Sequence, residues 1–263
     1  MGKIIGICNQ KGGTAKTTTA INLSAYLGLE DQKTLLIDMD PQGNATSGVG
    51  VEAEGKNSIY DVISGKVPIE ESIYPTQYNK LDIIPSNISL SGGEIELVNI
   101  PGRELLLREA LEPIKDSFSF IVIDAPPSLG LLTVNILTAS DSIIVPIQCE
   151  YYALEGVSKL VNTVELVQKR LNPNLEIEGI LLTMADFRTR LTLQVIEEVR
   201  RYFQQKVFAV IVPRNVKLAE APSFGKPISS YDKTCVGSQS YLKVSQEVIK
   251  NNITSGQLAK ERS

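Results

Sequence analysis

The chain has 263 residues, 43% hydrophobic and 21% charged, with 26 basic against 30 acidic side chains and a formal net charge of −4. That length suits one large α/β domain, and the mild acidity argues against a wholly basic nucleic-acid binder while allowing local basic patches. The lack of histidine excludes histidine-based acid–base or zinc chemistry, and three distant cysteines (Cys8, Cys149, Cys235) form neither a disulfide framework nor a metal-ligand spacing.

The chain enters directly on Lys3-Ile4-Ile5, so no cleavable leader is expected. No apolar run approaches ~18 residues, so a soluble cytoplasmic protein is expected. Ile4–Cys8 reads as a buried strand and Lys16–Leu29 as a helix. Between them lies Asn9-Gln10-Lys11-Gly12-Gly13-Thr14-Ala15-Lys16-Thr17-Thr18. A strand, a glycine-bearing loop, lysine-threonine and a helix together describe a phosphate-binding loop. The free N–H groups and positive dipole end of the new helix collect around an anion, and glycines let the backbone approach it. In that pattern Lys16 sits on the β and γ phosphates and the Thr17 hydroxyl ligates Mg²⁺. Gln10 and Ala15 stand where the general pattern has glycine. If position 15 needs a left-handed backbone, alanine costs about 1 kcal/mol there, and weakened or retuned nucleotide binding is expected.

Further along, Thr34–Asp38, Leu81–Pro85, Phe120–Asp124, Ser142–Pro146, Glu178–Met184 and Val207–Val212 read as strands. Several are apolar without alternation, as a parallel sheet buried on both faces requires. Helices are expected over Arg103–Ile114, Thr133–Ala139, Leu154–Arg170 and Leu191–Gln205, with a last helix-like segment at Ser240–Lys250. The rhythm predicts one doubly wound, mostly parallel α/β sheet with helices on both faces, spanning residues 1–250. Residues 251–263 are polar and patternless and are expected to fray.

Ligands in such sheets bind beyond the carboxyl ends of the strands, so the polar residues after each run matter most. Asp38 and Asp40, two apart on an extended segment, point the same way. Phe120–Asp124 is an apolar strand ending in a carboxylate, a form in which Asp124 holds Mg²⁺ through water. Arg188, Arg190, Arg200, Arg201, Lys206, Arg214, Lys217 and Lys226 accumulate in the last third. No recognition helix or aromatic stacking run accompanies them, so phosphate contact without sequence reading is the expected mode.

Lys11 to Thr18, Asp38-Met39-Asp40-Pro41-Gln42-Gly43-Asn44, Asp124-Ala125-Pro126-Pro127, Gln148 to Gly156 and Ile211 to Val216 resemble, in order, segments of the ParA/Soj ATPases. These carry a deviant phosphate loop with a second lysine, and the likeness runs from Met1 to about Lys250. The resemblance implies a P-loop ATPase that takes ATP/ADP with Mg²⁺ and hydrolyses ATP slowly. Gly12, Gly13, Thr14, Ala15, Lys16, Thr17 and Thr18 would cradle the phosphates, and Pro213 and Asn215 would line the adenine pocket. Lys11 would reach the nucleotide of a partner subunit. Asp38 would lie near the magnesium shell with Thr17 and Asp124, and Asp40 would polarise the attacking water. Arg188, Arg214 and Lys217, with Arg190 beside them, would contact DNA.

The implied partners are a second copy of the chain, non-specific double-stranded DNA and a ParB-type centromere-binding protein, with no membrane. The implied place is the cytoplasm, on the nucleoid. An N-terminal helix-turn-helix of the plasmid type is not expected. Three other readings remain open. MinD-like membrane-associated ATPases share the loop but need a C-terminal amphipathic basic helix, and the nitrogenase iron-protein class needs paired cysteines that Cys149 alone does not supply. A hydrolysis-impaired nucleotide-binding module, with Ala15 as the cause, is the third.

Overall fold

Strands rich in Ile, Leu and Val, apolar on both sides of the pleat, pair only where both faces of a sheet are covered. The computed structural model, which describes residues 2–150 and 153–260, shows that arrangement. Among the described residues the strands are β1 Lys3–Ile7, β2 Thr34–Asp38, β3 Tyr74–Pro75, β4 Leu81–Ile84, β5 Phe120–Asp124, β6 Ser142–Gln148 and β7 Glu176–Thr183. They lie in the order β3-β4-β2-β5-β1-β6-β7. All pairs are parallel except β3 with β4.

Helices α1 Lys16–Leu29, α2 Asn44–Gly48, α3 Ile59–Ile63, α4 Ser89–Leu97, α5 Leu106–Leu111 and α6 Leu131–Ala139 belong to the first half. Helices α7 Ala153–Arg170, α8 Arg190–Phe203, α9 Val216–Glu220, α10 Ile228–Tyr231 and α11 Val236–Lys260 follow. Alternate strand residues feed two cores. On one face Ile5, Ile7, Leu36, Val122 and Leu181 pack with α1 and α11 residues such as Leu23 and Tyr241. On the other face Leu35, Ile37, Ile121, Ile123 and Leu182 pack with Leu107, Ile136 and Val199. The buried Thr19–Tyr241 and Tyr26–Ser238 hydroxyl pairs (3.0 and 2.5 Å) fasten α1 to α11. That fixes the helix whose first turn forms the site.

Two expected elements differ. The segment 207–212 is not a strand. Its backbone touches β7 only intermittently, through Phe208 N–H to the Ile180 carbonyl and Val212 N–H to the Leu182 carbonyl (3.0 and 2.9 Å), while Ala209 N–H turns to the Glu247 carboxylate (3.1 Å). Phe208 lies so close to β7 that a Cβ at Gly179 would stand 2.5 Å from its ring. The last helix runs to Lys260, through most of the segment expected to fray from residue 251. No helix among the described residues is long and apolar enough to cross a membrane.

Candidate nucleotide-binding site

The loop between β1 and α1 is held from three sides. Asn9, buried, donates its amide to the Pro146 carbonyl (2.7 Å) and accepts from Lys11 N–H (3.0 Å), tying the loop to β6. The buried Thr183 hydroxyl donates to the Thr14 carbonyl (3.1 Å), tying it to β7. Lys16 Nζ reaches back to the Lys11 carbonyl (3.2 Å), which also accepts from the Thr14 hydroxyl (3.3 Å). Gly13 has φ 73°. Ala15, the N-cap of α1, has φ 68° and ψ 31°, also left-handed. Position 15 therefore does need the conformation that disfavours alanine by roughly 1 kcal/mol. The methyl is nonetheless tolerated, and Ala15 forms part of a pocket wall.

Lys16 is 6% exposed. Burial lowers its pKa, and Asp124 works against that shift. Cys8, buried at the end of β1, has its thiol pushed up to about 12 by burial, so it is no nucleophile.

Asp38 and Asp124 face each other across the β2–β5 register, both fully buried. Asp38 Oδ1 accepts from Asp40 N–H (3.1 Å), and Oδ2 accepts from Thr46 N–H and the Thr46 hydroxyl (2.8 and 2.7 Å). Burial still raises its pKa to about 6, against the pull of Thr46. Neither oxygen of Asp124 makes a hydrogen bond of normal geometry among the described residues, though the Thr17 hydroxyl is near enough to act on it. Burial and then Asp38 push its pKa well above the usual range, against Thr17 and Lys16. An unpartnered buried carboxylate near a threonine hydroxyl is a donor set that fits Mg²⁺, which takes hard oxygens and few protein ligands. Asp40 is 7% exposed and accepts from Gln42 N–H (3.0 Å), which sets it at the start of the turn into α2.

Beside the loop lies a cavity of about 320 Å³ walled by Ala15, Thr18, Met184, Pro213, Asn215 and Leu218. Pro213 and Asn215, expected from the sequence to contact adenine, thus meet the phosphate loop. Asn215 Oδ1 caps α9 by accepting from Lys217 N–H (2.8 Å). A larger cleft, about 730 Å³, opens at the opposite ends of the strands around Lys33, Lys115 and Phe118. The loop and the paired carboxylates lie at the carboxyl ends, where such sheets bind ligands.

Two of the basic candidates, Arg188 and Arg214, lie on one flank. A parallel bridge between Ala185 and Pro213 sets the Arg188 and Arg214 segments side by side. Arg188 grips Asp186 with two bonds (2.8 and 2.7 Å) and holds that carboxyl down at about 2. Arg214 lies 3.8 Å from Glu150, Lys217 lies 3.0 Å from Glu220, and Arg190 opens α8 exposed. Sequence reasoning missed Asn9, Thr46, Thr183 and Glu150. The three neutral side chains carry no motif, and Glu150 stands within a family-like segment that assigns it no role.

A left-handed glycine–alanine loop at a helix start, a buried lysine and a carboxylate without a partner among the described residues define a P-loop nucleotide-binding protein with a second loop lysine. A family model described as an AAA domain matches residues 2–177. The sporulation initiation inhibitor protein Soj of Bacillus subtilis (strain 168) is 55% identical over 252 residues, covering 95% of this chain and 100% of that one. The chromosome partitioning protein ParA of Myxococcus xanthus is 53% identical, covering 96% of this chain and 89% of that one. A crystal structure described as cobyrinic acid a,c-diamide synthase from Mycobacterium smegmatis, with bound ADP and magnesium, superposes with a TM-score of 0.85. It shares 32% identity and covers 97% of each chain. The chain belongs to the Soj/ParA family of chromosome-partitioning ATPases.

Proposed function

We propose that the protein is an ATP-dependent DNA-partitioning switch. It binds ATP, pairs with a second copy, coats DNA without reading sequence, and is released by hydrolysis to ADP and phosphate. The observation that carries this reading is the buried Lys16 at the head of α1 beside the carboxylate of Asp124, which is fully buried and makes no hydrogen bond of normal geometry among the described residues. Phosphoryl transfer to water asks the protein mainly for positioning and charge neutralisation. The loop N–H groups of residues 12–18 and Lys16 would gather the β and γ phosphates, exchanging the Lys16–Lys11 carbonyl contact for phosphate oxygen. Thr17 and Asp124 would hold Mg²⁺, which supplies further charge neutralisation, and Asp38 would keep the neighbouring segment in place through Thr46. Asp40 would polarise the attacking water, and Pro213 and Asn215 would seat the base.

Lys11 would add a positive charge to the partner subunit's nucleotide, so chemistry and dimerisation are linked. Arg188, Arg190, Arg214 and Lys217 would meet DNA phosphates. A ParB-type partner would stimulate turnover, and the protein would work in the cytoplasm on the nucleoid.

The test is Mg·ATP hydrolysis with and without DNA for wild type and Lys16→Ala. Activity in the first and a loss of 100-fold or more in the second, roughly the effect of removing one such charge donor, is expected. Equal rates in the two proteins would overturn the assignment.

A further inference from the structure

One carboxylate stands between the phosphate loop and the basic flank. Glu150 lies just beyond β6, where Gln148 donates its amide to Oε1. Its Oε2 is 3.8 Å from Lys11 Nζ, and its Oε1 is 3.8 Å from Arg214 Nη2. Lys11 and Arg214 are 203 residues apart in the chain (214 − 11), yet they share this counter-charge.

We propose that Glu150 is a positioning residue for Lys11. It holds the lysine to its own subunit, with Arg214 alongside, and must release it when two subunits close face to face. The proposal rests on the ATP-dependent dimer of the proposed switch. All three side chains are partly exposed, at 37% for Lys11, 47% for Glu150 and 62% for Arg214. A pair of that kind changes an equilibrium constant by about fivefold at most. A two-fold dimer draws one Lys11 from each subunit, so the factor enters squared. Removing the Glu150 charge should therefore raise the association constant by up to about 25-fold at low salt.

The experiment measures dimerisation of the full chain by sedimentation, with Mg²⁺ and a non-hydrolysable ATP analogue, for wild type, Glu150→Gln and Glu150→Asp. Glu150→Gln is expected to dimerise more tightly, with the advantage shrinking as salt rises from about 0.05 M to about 0.5 M, because screening weakens the wild-type pair. Glu150→Asp keeps the charge and should return toward wild type. Glu150→Ala, which also drops the Gln148 contact, should gain as Glu150→Gln does and guards against an amide-specific effect. An unchanged or weaker Glu150→Gln dimer, or a gain indifferent to salt, overturns the restraint while leaving the switch reading intact. A wild type that stays monomeric with the analogue overturns the switch reading, and the restraint with it.

Discussion

Asp38 and Asp124 are register partners at the carboxyl ends of adjacent parallel strands, yet among the described residues Asp38 accepts three hydrogen bonds and Asp124 accepts none. The first ties β2 to the segment around Thr46. The second is a desolvated carboxylate that a cation or a proton would relieve.

That contrast has a consequence for stability against pH. Both carboxyls have raised folded pKa values, about 6 for Asp38 and well above the ordinary range for Asp124. The folded state then binds more protons than the unfolded one. The stabilisation is complete below the unfolded pKa of about 4 and is lost as pH rises through the folded values. Without magnesium, Asp124→Asn should melt above wild type at pH 8, and the difference should narrow toward pH 5. The same variant should lose Mg·ATP hydrolysis. Melting curves at several pH values check this, and parallel pH profiles for the two proteins would count against it.

Ala15 is a second point of conflict between local chemistry and fold. Its left-handed backbone costs alanine about 1 to 2 kcal/mol, while glycine would add roughly 0.4 to 1 kcal/mol of unfolded-state entropy. Ala15→Gly should therefore stabilise the chain by up to about 1.5 kcal/mol. Hydrolysis should change little compared with Lys16→Ala. Denaturant titration alongside an ATPase assay tests both halves, and a silent wild type revived by Ala15→Gly would make this chain a binding-only relative.

The strands Thr34–Asp38 and Phe120–Asp124 are legible at both ends, because unbroken apolar runs stop on a carboxylate that has to sit at the edge of the sheet. Residues 207–212 carry the same apolar signal, but Glu247 on α11 takes the Ala209 N–H, a tertiary choice that periodicity does not record. Strand β3 is two residues long and ends in Pro75, too short for any pattern. The loop itself is legible because glycine, lysine and threonine have local reasons to be there. Its tethers are not, since Asn9 to Pro146 and Thr183 to Thr14 span 137 and 169 residues.

Asn9 makes that tether testable. Its side chain supplies one donor to β6 and one acceptor to the loop, in a buried setting. Asn9→Ala leaves the Pro146 carbonyl and the Lys11 N–H without those partners, a loss of about 1 to 3 kcal/mol. For a chain of this size that corresponds to a melting point lower by several degrees, roughly 2 to 4 °C per kcal/mol. The loop that should cradle phosphate becomes looser, so KM for ATP should rise more than kcat falls. Steady-state kinetics separate the two, and an unchanged KM would show that the loop keeps its shape without Asn9.

The basic flank makes the last prediction. Arg188 is 88% exposed and already oriented by its two bonds to Asp186, and Arg214 stands beside it through the Ala185–Pro213 bridge. A phosphate group meeting this flank would have to draw the guanidinium from Asp186, so the carboxylate would oppose DNA while it aligns the arginine. Arg188→Ala and Arg214→Ala should each weaken binding to random-sequence duplex with ATP present. For every phosphate that a variant no longer neutralises, the slope of log K against log salt should fall by about 0.9. Asp186→Asn should move affinity the other way, by removing the negative charge beside Arg188. Fluorescence anisotropy across a salt series measures all three, and slopes identical to wild type in both arginine variants would place the DNA on another face.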